Sequence, residues 1–174
     1  LNIYDNGRDD WHDMNTVNET GNKTGHFMYT THELRLPASL PEGGTVTAHN
    51  MKTGETVILA QDPTYNALDG IKWTPWGTVL FAEETTGGRL FEIELNEDMM
   101  SGNVIDRPAV GRLAHEGIDV DADGNVYVVD EFRGQREGYG GGVYKFVPNT
   151  YGDLSSGDLY VLKVDGNDDG TGIG

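Results

Sequence analysis

The sequence predicts an all-β fold, a β-propeller segment of about three to four four-stranded blades, and three observations carry that expectation. Glycine supplies 25 of 174 residues and the apolar stretches are short, the longest lying around Val79 to Ala82. A set of residues recurs at the 47-residue offset that separates Asp69 from Glu116. Each copy holds several short runs of alternating or β-branched residues, cut by Gly, Asn and Asp turns. A period in the forties with about four strands per unit is the pattern of a propeller blade.

The units can be followed in order. In the first, His26 to Glu33 and Gly44 to Met51 read as strands, and the turn Lys52-Thr53-Gly54-Glu55 leads into a strand from Thr56 to Ala60. The second opens on Asp69-Gly70-Ile71, runs through Val79 to Ala82 into Glu83-Glu84, and continues with a strand from Arg89 to Ile93. Leu95 to Met100 reads as one helical turn before Ser101-Gly102 and a last strand.

The third unit repeats these features as Glu116-Gly117-Ile118, Val126 to Val129 with Asp130-Glu131, Gly142 to Phe146 and Ser156-Gly157, with extra residues in the loop Arg133 to Gly141. The repeats fall near 26–68, 69–115 and 116–164, with an acidic tail at 165–174, all in one propeller segment spanning 1–174. Propellers close with about 4–8 blades. The expectation is therefore a partial or processed chain, Leu1 standing where a Met would begin one, with the remaining blades supplied by the rest of the protein or by another chain.

Composition narrows the partners. The formal net charge is −17, from 29 acids against 12 bases. A nucleic-acid backbone calls for a basic surface, so no nucleic-acid partner is expected. No stretch approaches the ~20 apolar residues of a membrane helix, so no membrane span is expected. The chain has no Cys, which excludes thiol chemistry.

The positions of the acids suggest what the charge is for. In each unit the second strand ends in a polar pair: His32-Glu33, Glu83-Glu84 and Asp130-Glu131. The acids that open the later units, Asp69 and Glu116, recur too, and His115-Glu116 resembles His32-Glu33. Strand ends at matching positions of successive blades open on one face, where unpaired carboxylates repel. A hard cation relieves that repulsion, because Ca²⁺ takes six to eight oxygen ligands from such groups. The predicted metal-ligand set is Glu33, Glu83, Glu84, Glu116, Asp130 and Glu131. The ordinary alternative is that these acids cap turns or guard strand edges.

Other signals are weaker. Asp119, Asp121 and Asp123 with Gly124 have the spacing of an EF-hand start, but strand residues follow and a β-turn is the default reading. Asp165 to Gly170 repeats that spacing in the tail. Gly138 to Gly142 lacks the Lys-Ser/Thr ending of a phosphate loop. Trp73 and Trp76 read as packing residues between blades.

The run Trp73-Thr74-Pro75-Trp76-Gly77-Thr78 followed by Glu83-Glu84, with Thr31-His32-Glu33, Arg112 to Glu116 and Val143 to Pro148, resembles the PhoX-like family of secreted bacterial alkaline phosphatases. The resemblance implies a six-bladed propeller, a periplasmic or extracellular location, and calcium-dependent hydrolysis of a phosphate-ester small molecule. It implies metal ligation by Glu33, Glu84, Glu116 and Asp130 or Glu131, with Glu84 and Glu116 in catalytic roles and Arg133 or Lys72 contacting phosphate. Those phosphatases carry a Cys before the Glu-Glu pair to hold iron. Ala82 stands there in this chain, which argues against iron and leaves calcium. Two alternatives follow: a non-catalytic, calcium-stabilised propeller, and a lactonase-like propeller hydrolase, which Glu116 to Asp121 followed by Gly124 to Tyr127 also resembles.

Overall fold

The computed structural model describes residues 11–34, 43–132 and 141–163. Three four-stranded antiparallel sheets follow one another along the chain, each in simple up-and-down order. The first holds β1 (His12–Val17), β2 (Phe27–His32), β3 (Thr45–Asn50) and β4 (Thr56–Gln61). The second holds β5 (Leu68–Trp73), β6 (Val79–Glu83), β7 (Leu90–Leu95) and β8 (Gly102–Asp106), and the third β9 (His115–Val120), β10 (Val126–Asp130), β11 (Val143–Thr150) and β12 (Asp153–Val161). A 3₁₀ turn at Pro108–Val110 is the one helical element among the described residues, and no helix among them is long and apolar enough to cross a membrane.

The second sheet is sandwiched by the other two, and its strands show why. Val79 and Phe81 of β6 point into a core shared with Phe27, Tyr29, Val46 and Ala48 of the first sheet. The alternate residues Leu80 and Ala82 point into a second core with Val126, Val128 and Phe146 of the third. A strand buried on both faces needs apolar residues at every position, and that is the continuous run Val79 to Ala82. Trp73 stacks on Tyr29 with ring centroids 6.1 Å apart, and Trp76 meets the ring of Tyr151 edge-on at 5.7 Å, so each Trp links two sheets.

Two expectations are corrected. The first sheet begins at His12 rather than near residue 26; β1 is mostly polar, with a single buried residue, Thr16, so no apolar periodicity announced it. Leu95 to Met100 is not a helical turn. Leu95 ends β7 and Met99 takes a positive φ of 64° in the reversal closed by Asn96 N–H to Ser101 O. The tail 165–174, Arg133 and the first part of its Gly-rich loop lie outside the described residues.

Candidate metal centre

The first strand of every sheet carries the same irregularity. His12 pairs with His32 and Asn15 with Thr30, so Asp13 and Met14 together face Thr31. Leu68 pairs with Glu83 and Ile71 with Phe81, so Asp69 and Gly70 face Ala82. His115 pairs with Asp130 and Ile118 with Val128, so Glu116 and Gly117 face Val129. Two residues opposite one is a β-bulge, which re-aims the side chains it carries. An acid takes the first bulge position each time: Asp13, Asp69, Glu116.

A second acid is placed just as regularly. The residue after the paired end of each second strand is Glu33, Glu84 or Glu131, and its backbone N–H donates to the carbonyl of Trp11, Ala67 or Ala114 at 2.8, 2.7 and 2.8 Å. Strands β1, β5 and β9 lie side by side, which lines these acid pairs along one region of the molecule.

One group closes. Asp69 and Glu84 of the second sheet and Glu116 of the third each offer a carboxylate oxygen, all within 4.8 Å of one another. Asp69 is only 5% exposed, and its Oδ1 has no hydrogen-bond partner. Burial, and then the charges of Asp13, Glu116 and Glu84, push its carboxyl up to about 8. A buried acid ringed by acids resists ionisation unless a cation joins them. Among the described residues no Lys or Arg forms an ion pair with Asp69 or Glu116.

The backbone around Asp69 is held tightly. The Thr31 hydroxyl lies 2.5 Å from the Asp69 carbonyl and 3.2 Å from that of Met14, joining the first two bulges. At Gly70 a Cβ would collide with the Glu116 carbonyl oxygen. The glycine therefore lets β9 approach β5 closely enough for Glu116 to reach Asp69.

The remaining predicted ligands have other company. Glu83 is buried and fully engaged: Arg89 Nε donates to its Oε2 at 2.8 Å, Arg89 Nη2 to its Oε1 at 2.7 Å, and the Asn66 N–H to Oε1 at 3.0 Å. Adjacent in sequence, Glu83 and Glu84 lie on opposite sides of the strand and serve different ends. Asp130 Oδ1 accepts the N–H groups of Ala114 and Phe132 at 3.0 and 3.1 Å, closing the end of β10. Glu33 and Glu131 occupy the positions equivalent to Glu84 but are not among the three that converge. Lys72 is committed to Asp119 at 3.1 Å.

His115-Glu116 and His32-Glu33 are not equivalent, since His115 opens a first strand and His32 closes a second one. The counterpart of His115-Glu116 is His12-Asp13, which sequence reasoning passed over. The Asp121 turn behaves as its sequence suggests. Oδ1 accepts from the N–H groups of Asp123 and Asn125 at 3.0 and 2.9 Å, and Oδ2 from Asn125 Nδ2 at 2.8 Å.

No protein-family model matches the chain, and no curated protein matches it. Among solved structures it is similar to the endo-arabinase of Bacteroides thetaiotaomicron VPI-5482, at 15% identity and a TM-score of 0.41, over 80% of this chain and 58% of that one. The chain thus spans little more than half the length of that protein.

Proposed function

We propose that the three sheets are blades of a larger β-propeller and that Asp69, Glu84 and Glu116 hold a hard divalent cation, calcium by preference, where two blades meet. The observation that carries this reading is the buried, unpartnered Oδ1 of Asp69 within 4.8 Å of the two other carboxylates. An all-oxygen donor set suits calcium, and Ala82, facing the Asp69 bulge where the phosphatases have Cys, offers no thiolate for iron. The up-and-down order of each sheet and the adjacency of β1, β5 and β9 support the propeller reading.

The activity proposed for the centre is hydrolysis of phosphate monoesters outside the cytoplasm, as the motif resemblance implies. A cation so held supplies Lewis-acid polarisation of a phosphoryl oxygen. Glu84 and Glu116 hold it, and Arg133 is the candidate for binding the phosphate.

Calorimetric titration of the metal-stripped chain with calcium is expected to show saturable binding that Asp69→Asn and Glu84→Gln each abolish. No binding by the parent chain would overturn the centre. Turnover of a chromogenic phosphomonoester with calcium, lost in chelator, is the expected test of the activity. Calcium binding without turnover would replace the phosphatase reading with that of a calcium-stabilised scaffold.

A further inference from the structure

The step from the first sheet to the second repeats the step from the second to the third. In the later step Glu116 of one bulge meets Asp69 of the bulge before it. The earlier step sets Asp69 beside the bulge of Asp13, which holds the same first position. Strand β1 lies beside β5 as β5 lies beside β9. After burial, the charge of Asp13 is the strongest influence raising the Asp69 carboxyl, ahead of Glu116 and Glu84.

The two steps differ in what fills them. Gly70 lets the Glu116 carbonyl lie against β5, and Ala82 faces that bulge. In the earlier step Met14 stands in the place of Gly70 and Thr31 in the place of Ala82. Met14 carries a side chain where Gly70 has none, and the fully buried Thr31 hydroxyl spans the step, donating to the Asp69 carbonyl at 2.5 Å with the Met14 carbonyl at 3.2 Å. Asp13 is exposed and lies outside the group that closes within 4.8 Å, so its carboxylate borders that group from the solvent side.

We infer that Asp13 is a fourth carboxylate of the cation centre, closing its solvent side from the first sheet, and that Thr31 is the residue that positions it. This role rests on the cation reading proposed above and extends the centre from two blades to three. Calcium takes six to eight oxygens, which three carboxylates supply only if every one binds through both of its oxygens. The buried Oδ1 of Asp69 marks where the ion sits, and Asp13 is the acid that the bulge repeat sets next to it.

Calorimetric titration of the metal-stripped 174-residue chain with calcium tests both assignments. Asp13→Asn is expected to weaken binding about tenfold or more without changing its stoichiometry. The loss is expected to persist in about 1 M salt, where charges more than about 3 Å apart are screened. Asp123→Asn, which removes an exposed charge elsewhere, is expected to change nothing. Thr31→Val is expected to weaken binding too and to leave little further loss to Asp13→Asn when the two are combined, while Thr31→Ser keeps the parent affinity. Parent-like binding by Asp13→Asn, or a loss that vanishes in salt, would overturn the role of Asp13 and leave the three-acid centre standing. Fully additive losses in the double variant would overturn the role of Thr31. Absence of binding by the parent chain would overturn the centre itself, and this extension with it.

Discussion

Asp69 and His115 make the chain's stability depend on pH in opposite senses. Asp69, pushed up to about 8, keeps its proton in the folded state at pH values where the unfolded chain, with a carboxyl near 4, has lost it. Folding is then increasingly penalised as pH rises through that window. His115 is fully buried, and burial, offset in part by a backbone hydrogen bond with Gly111, lowers it from 6.5 to about 4. Its neutral form favours folding above 6.5, and that contribution is lost as pH falls toward 4. The two trends oppose each other below 6.5, and above it Asp69 acts alone. In chelator, the melting temperature is expected to drop between pH 6.5 and 8, and saturating calcium is expected to remove the drop. Asp69→Asn should remove both the drop and the response to calcium, which thermal melts at several pH values will show.

The bulge is the element that brings the three acids of the proposed centre together, and it can be tested apart from them. Gly70→Ala puts a methyl group against the Glu116 carbonyl, so β9 must move away from β5. The expected result is calcium affinity weakened by about tenfold or more, as when a group that orients a ligand is disturbed, with the β-sheet spectrum retained. Glu83 offers the contrast. Its ion pair with Arg89 is nearly dry on the Glu side, 4% exposed, and removing one partner of such a pair costs about 3–5 kcal/mol. Glu83→Ala is expected to lower the denaturant midpoint accordingly while leaving the stoichiometry of calcium binding unchanged. The doubled acids were visible in the sequence, but the division of labour between neighbours was not. It depends on strand alternation, which turns Glu83 toward Arg89 and leaves Glu84 beyond the strand end.

At the scale of the molecule, the second sheet is the keystone. Phe81, 0% exposed, stacks on Phe91 at 4.9 Å within the core shared with the first sheet. Glu92 anchors the other side, accepting hydrogen bonds from Trp76 Nε1 at 2.8 Å and Thr78 Oγ1 at 2.6 Å, and from Arg107 Nε at 2.7 Å. Because both cores run through this sheet, the described residues are expected to unfold as one unit. Phe81→Ala is expected to cost about 3–5 kcal/mol and to lower a single transition rather than split it, as differential scanning calorimetry will report.

The sequence by itself marked the strands from β2 to β11, because apolar runs and Gly, Asn and Asp turns are local signals, and the 47-residue offset set the second and third sheets in register, whereas β12 begins at Asp153, ahead of the Ser156-Gly157 pair expected to precede it. It also marked the recurring acids, Glu84 and Glu116 among them. Tertiary structure alone decided which acids meet. Asp69 enters the group because a bulge re-aims it and Gly70 admits β9, and Asp13 bears on it because β1 packs beside β5. Neither event has a local sequence signature: proximity between strands distant in the chain is set by the packing of whole sheets.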